Sequence, residues 1–306
     1  MYDRHARLFG DTGQSILSNI KVGIIGLGGG GFLINEWLSR LGVGHIIAID
    51  FDKVEASNLP RIVGATKWDA QCWLTTSKFS WLQRFGKLLA KQKVKVAKRM
   101  AKKANPKIVF KAIIGDILDE KTALRLKDVD FIFLGSDTIK SRNVFNAIVH
   151  QYLIPGAQIG SKVRVDKQTK KIIEIFTVGR IVLPYQGGGC LQCNGWIPSA
   201  RLQIELISDE ERKAQNYIDD ENITEPSVIT LNVLSAAQVI NDFMMIFTGI
   251  YEQEKPLPHI LNDVISRELN ITDLRSSNDC LHCSIHERSR FAKGDRKKLP
   301  CKTAAN

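Results

Sequence analysis

The sequence predicts an α/β fold: a mostly parallel sheet with helices on both faces and an antiparallel C-terminal part. Three observations predict it. A complete strand–glycine turn–helix–strand unit occupies residues 21–50. Helical and strand-like segments then alternate as far as His150. Beyond Gln158 two long strand-like runs are joined by a polar turn instead. Strands alternating with helices build parallel sheets, and strands joined by short turns pair antiparallel.

The elements follow in order. Lys21-Val22-Gly23-Ile24-Ile25 reads as a short buried strand. Gly26-Leu27-Gly28-Gly29-Gly30-Gly31 follows, and Phe32 to Leu41 reads as a helix with Leu33, Trp37, Leu38 and Leu41 on one face. Gly42-Val43-Gly44 ends it, and His45 to Asp50 is the next strand. Glycines at 26, 28, 29 and 31 allow a tight turn and let phosphates approach main-chain N–H groups at a helix N-terminus. Asp50 closes the second strand, where a carboxylate can accept both ribose hydroxyls. The unit is Rossmann-like, and on these residues alone a dinucleotide-dependent dehydrogenase fits as well as any other nucleotide enzyme. Lys91 to Lys103 reads as a helix closed by Asn105-Pro106, and Ile108 to Ile113 as a strand. Leu118 to Leu126 reads as helix, Asp130 to Gly135 as strand and Ile139 to His150 as helix. Gln158 to Val165 and Ile172 to Leu183 read as strands around the turn Asp166 to Lys170. Residues 208–226 are polar and read as a mobile loop, and residues 228–248 as a long buried helix.

Composition narrows the class. Hydrophobic residues make up 44% of the 306, which excludes wholesale disorder. No purely apolar run reaches the roughly 20 residues that span a bilayer, and residues 1–7 are polar. A cytoplasmic protein without a membrane partner is expected. The formal charge is +11, from 43 basic and 32 acidic residues. Solubility, a nucleic acid, an acidic protein or a nucleotide triphosphate would each use it. Four of the six cysteines form two Cys-x-x-Cys pairs, Cys190/Cys193 and Cys280/Cys283. Two thiolate pairs on two turns make a closed tetrahedral site, so a structural zinc is expected; the redox reading of each pair is the alternative.

The residues after Asp50 carry a resemblance. Asp50-Phe51-Asp52-Lys53-Val54-Glu55-Ala56-Ser57-Asn58-Leu59-Pro60-Arg61 resembles the Asp-x-Asp-x-Val-x-x-Ser-Asn-Leu-x-Arg signature of the ThiF/MoeB/HesA family, which includes ubiquitin-activating enzymes. Arg4-His5-Ala6-Arg7 is similar to that family's Arg-x-x-Arg motif. Lys91-Gln92-Lys93-Val94, with Asn105-Pro106, resembles its lysine helix, Ser136-Asp137 with Arg142 its strand-end aspartate motif, and the cysteine pairs its zinc site. The resemblance covers residues 4 to 284. It implies ATP and magnesium as cofactors, beside the zinc, and adenylation of the C-terminal carboxylate of a ubiquitin-like or sulphur-carrier protein ending in glycine. It implies nucleotide binding by Gly26, Gly28, Gly29, Gly31, Asp50 and Asp52, with Asp50 on the ribose. Asn58, Arg61 and Lys93 would hold the phosphates, and Asp137 would act near the magnesium and the reacting carboxylate. Arg7 would reach the triphosphate of the neighbouring subunit, which implies a homodimer. A conjugating enzyme is a further implied partner. The chemistry needs such residues, because carboxylate and triphosphate are both negative and only fixed positive charge aligns them.

Each assignment has a plainer reading. Arg61 and Lys93 could be surface cations, and Asp137 could cap the helix that follows it. The chain also departs from the family. Many members carry an acyl-accepting cysteine after the first zinc pair, and this chain has no cysteine between Cys193 and Cys280. Cys72, among Trp68, Trp73, Phe79 and Trp81, is the candidate that could take a thioester instead; it could equally be a buried apolar residue. Activation of a peptide or a modified tRNA base, and a catalytically dead scaffold, are the competing readings. Residues 1–287 are expected to form a single adenylation domain, with a nucleotide-binding half (1–157) and a crossover and zinc half (158–287). Residues 288–306 are expected to be a basic flexible tail.

Overall fold

The computed structural model describes residues 2–166, 169, 171–206, 228–250 and 257–302. The loop expected at 208–226 lies outside them, as do Lys167, Gln168 and Lys170 of the expected turn. Among the described residues the strands are β1 (Lys21–Ile25), β2 (His45–Ile49), β3 (Val109–Ile113), β4 (Phe131–Leu134), β5 (Gly156–Val165), β6 (Ile172–Val182), β7 (His259–Asp263) and β8 (Glu268–Thr272). They form one sheet in the order β3-β2-β1-β4-β5-β6-β7-β8. β3 to β5 in that order pair parallel, and β6, β7 and β8 each pair antiparallel to the strand before. The expected change from parallel to antiparallel therefore falls between β5 and β6.

Strand residues alternate between the two faces of the sheet. Phe131 and Phe133 enter one core cluster, and Ile132 and Leu134 the other. The first cluster packs β1 and β4 against α1 (Asp3–Asn19), α2 (Gly29–Leu41), α5 (Lys93–Ala104) and α9 (Ile229–Thr248). The second packs them against α6 (Glu120–Ala123) and α7 (Ile139–Tyr152). α9 is long and apolar enough to cross a membrane by length and composition. It lies on β5, β6 and α2, with Val239 and Phe243 in the first core.

Several elements differ from expectation. Leu118 to Leu126 is not one helix. The four-residue α6, capped by the Asp119 carboxylate accepting from Thr122 N–H at 3.0 Å, gives way to a 3₁₀ turn at Leu124–Leu126. α1, β7 and β8 were not expected, nor were α3 (Cys72–Thr75), α4 (Ser80–Leu89) and α8 (Ser199–Leu206). The basic stretch from 288, expected as a flexible tail, is packed as far as Lys302. Ala292 N–H donates to the His150 carbonyl, Asp295 takes Lys127 and Tyr152, and Leu299 joins the second core. Apolar Leu299 and buried Ser289 supply the burial that a count of charges hides.

Candidate active site

A cavity of about 620 Å³ opens at the C-terminal ends of β1 to β4. The chain leaves β1 for β2 on one side and later returns to β4 on the other. That reversal opens a crevice beyond the strand ends, the place where open α/β sheets bind ligands. Its walls are the segments that follow each strand: Gly26–Gly30, Asp50–Asp52, Gly115–Leu118 and Gly135–Thr138.

The glycine turn shapes the floor. Gly26 has φ +83°, a left-handed conformation that disfavours a side chain, and a Cβ on Gly31 would collide with the Gly26 carbonyl. Gly28 precedes α2 as its N-cap residue, so the first N–H groups of that helix face the cavity floor. Asp50 is buried beside it. One carboxylate oxygen accepts from Leu27 N–H at 2.6 Å and the other from Asp52 N–H at 2.7 Å. Burial pushes the Asp50 carboxyl above its ordinary range, while Lys93 and the two N–H groups oppose the rise.

Lys93 starts α5. It is buried, so the surface-cation reading does not describe it, and its ammonium donates to Asp52 Oδ2 at 2.6 Å. Arg61 reaches the same cavity from the turn after β2. Asp137 lies exposed on the opposite wall. It does not cap α7: Thr138 does, accepting from Ser141 N–H at 3.2 Å, and the Glu205 carboxylate takes the Ile139 and Lys140 N–H groups. Asp137 is thus left on the cavity side of the strand end.

The cavity thus gathers Gly26, Gly28, Gly29, Asp50, Asp52, Arg61, Lys93 and Asp137. It does not include the others. Gly31 lies behind the turn. Asn58 is buried in a capping box, with its Oδ1 accepting from Glu55 N–H at 3.4 Å. Arg7 is exposed on α1 and paired with Asp3 at 2.9 Å. Cys72 is half-buried against the first core. Cys301 packs with its thiol on the Ile117 carbonyl at 3.8 Å, where burial pushes it up to about 12.

The four paired cysteines converge. Their sulphurs lie within 4.8 Å of one another, with Cys190–Cys280 at 3.9 Å and Cys193–Cys283 at 3.6 Å. Zinc–thiolate bonds of about 2.3 Å in a tetrahedron require sulphurs about 3.8 Å apart, so this donor set fits zinc. Asn146 of α7 braces the site, donating to Cys190 Sγ at 3.4 Å and accepting from Leu191 N–H at 3.0 Å.

The ThiF family model matches residues 2–281. The chain belongs to the ThiF family. It is similar to the molybdopterin-synthase adenylyltransferases of Escherichia coli K12, 28% identical over 188 residues, and of Haemophilus influenzae, 28% identical over 165 residues. Those matches cover 61% and 54% of this chain, and they span 63% and 58% of the relatives' own lengths. Among solved structures the fold is similar to that of E. coli MccB with ATP. The TM-score is 0.67 at 22% identity, over 92% of this chain and 74% of that one.

Some of the cavity wall went unread in the sequence. Asn232 and Ser235 reach it from α9, and Ser161 from β5. Asn232 and Ser235 are two of several polar positions in α9, and they stand three apart, a spacing that puts them on one helix face. That signal was present in the sequence. The Gly115–Leu118 wall carried none, because a loop after a strand has no period.

Proposed function

We propose that this protein uses ATP and magnesium to adenylate the C-terminal carboxylate of a ubiquitin-like or sulphur-carrier protein. The observation that carries the reading is the single cavity that gathers Asp50, Arg61, Lys93 and Asp137 around a glycine turn. In the reaction a carboxylate oxygen bonds to the α-phosphorus of ATP as the bond to the β-phosphate oxygen breaks, and pyrophosphate leaves. Asp50 takes the ribose hydroxyls with its remaining lone pairs. Lys93 and Arg61 hold the phosphates and stabilise the charge that develops between two anions. Asp137 offers the oxygen donor that a magnesium ion takes, and the ion neutralises phosphate charge when bound. The four cysteines hold a structural zinc away from the chemistry. Arg7, which does not line the cavity of its own chain, completes the site of a second copy in a homodimer. With no cysteine between Cys193 and Cys280, the acyl group passes from the adenylate to a thiol on another protein, such as a conjugating enzyme, as the acyl–phosphate bond breaks and AMP leaves. Six cysteines without a disulfide among them suit the reducing cytoplasm.

The test is pyrophosphate–ATP exchange with candidate carriers ending in Gly-Gly. Exchange that depends on one carrier is the expected result. Tight NAD binding without ATP binding would overturn the reading. A second reading is that a short peptide supplies the carboxylate. It is favoured by the likeness to the microcin C7 biosynthetic enzyme MccB in complex with N-formylated MccA, at TM-score 0.68 and 21% identity. Exchange with peptides and with no carrier would select it.

A further inference from the structure

Between residues 56 and 115 the chain carries fourteen lysines and arginines and one acidic residue, Asp69. Asp69 is buried and committed to Arg99 and Lys91, so it adds no exposed negative charge. This one segment accounts for the whole positive charge of the protein, since the remaining residues are slightly acidic in sum. It also carries three of the five tryptophans, Trp68, Trp73 and Trp81, and all three are exposed.

The apolar surface has a definite shape. α4 packs inward through Gly86, where a Cβ would meet Leu74 and Thr75 of α3. The opposite side of α4 is a ridge: Trp81 is 65% exposed, Phe85 50%, Leu88 71% and Leu89 50%. These positions recur at i, i+4, i+7 and i+8, one stripe of a helix. A core helix turns such a stripe inward; this one turns it to solvent. Arg84 and Lys87 flank the ridge, Phe79 and Lys78 extend it, and Trp68 packs edge-on against Trp73 beside it at 4.2 Å.

We propose that the α3–α4 face docks on an anionic lipid surface, with the α4 ridge inserted among the headgroups and the lysines and arginines on the phosphates. An aromatic and leucine face beside a basic one is the pattern of helices that lie in the membrane interface. Tryptophan favours that interface, because its ring is apolar and its N–H is polar. A second copy is disfavoured, since two such faces would bring like charges together. Nucleic acid would use the cations but has no partner for Leu88 and Leu89, which cannot stack on bases. The expectation of no membrane partner rested on the lack of a spanning run, and surface docking needs none.

The experiment is co-sedimentation of the full chain with vesicles of phosphatidylcholine, alone or with about one-third phosphatidylglycerol, while tryptophan emission is followed. The wild type should bind the anionic vesicles with a blue shift, and lose binding as salt rises. Trp81→Glu/Leu88→Glu should weaken binding at least tenfold, roughly the effect of removing two buried side chains from the interface. Both positions are exposed, and an unchanged melting temperature verifies the fold. Arg84→Glu/Lys87→Glu should abolish the preference for anionic over neutral vesicles. No binding to either vesicle overturns the proposal, as does equal binding to both. So does ridge-dependent self-association in sedimentation velocity, or ridge-dependent binding of an RNA oligonucleotide without vesicle binding.

Discussion

Lys93 combines burial with a salt bridge to Asp52, whose side chain is half-exposed. Losing that pair should cost less than about 1 kcal/mol, because water screens and resolvates the freed aspartate. Its proposed work on the triphosphate is worth far more, since a charge aimed at a transition state carries about a hundredfold or more in rate. Lys93→Ala should therefore abolish pyrophosphate exchange with little change in melting temperature. Mixed with an Arg7→Ala subunit it should recover part of the activity, because one composite site would hold both residues. No recovery after confirmed subunit exchange would remove Arg7 from the neighbour's site. Asp242, in α9, makes a different prediction. Burial pushes its carboxyl up to about 6, against the hydrogen bond from Gln238. The folded chain thus holds a proton that an unfolded aspartate, with a pKa of about 4, releases. That stabilisation is full below pH ~4 and is lost as pH rises through about 6, a swing on the order of 2 kcal/mol. Asp242→Asn should flatten the decline in urea midpoint between those pH values. A midpoint that falls as steeply as in the wild type would refute it.

The α3–α4 element depends on Asp69. Its carboxylate accepts from Arg99 at 2.8 and 2.7 Å and from Thr66 N–H at 2.9 Å, while its carbonyl accepts from Lys91 N–H. Burial alone would raise its pKa, but the bonds from Arg99 and Thr66 outweigh that and hold the carboxyl well below its ordinary range. Asp69→Ala should cost about 2 kcal/mol and speed proteolysis between Lys67 and Lys91. Unchanged cleavage there would show that the element is held by packing alone. The same element marks where sequence reading stopped. β1, β2, α5, α7 and α9 were legible because their apolar spacing matches the faces they bury. α4 has an equally clear stripe, but it points outward, so spacing does not report what it packs on. α1 was hidden by Gly10, which bends the helix with φ 72° and interrupts its period. β7 and β8 lie at the sheet's end, where side chains are mostly part-buried or exposed and the alternation fades. At the site, motif residues on loops after strands were legible through their resemblance. Asn58 and Arg7 show the limit of that route, since one is buried in its turn and the other lies exposed on α1, paired with Asp3, and does not line the cavity of its own chain.

On the scale of the molecule, the four-cysteine cluster joins the loop after β6 to the segment after β8, two parts of the chain 86 residues apart between Cys193 and Cys280. If zinc occupies it, elemental analysis will find about one equivalent per chain. Cys190→Ser/Cys280→Ser should shed the metal and lower the melting temperature, because a closed site contributes directly to folding. Full metal retention would refute the assignment.

The segment that leaves Cys283 runs along the end of α7 and reaches the cavity wall. There Lys302 N–H donates to the Leu118 carbonyl at 2.8 Å, and the Lys302 ammonium reaches Asp116 at 3.3 Å. One wall of the crevice is therefore fastened from outside, by a strand of chain whose other end is moored at the cysteines. Slow amide exchange would register this directly. Freeing the mooring in the cysteine double variant should accelerate deuterium uptake at Lys302 and Ala292, while amides in β1 and β2 keep their protection. Uniform acceleration across the sheet would mean that the cluster supports the whole fold and not this wall in particular.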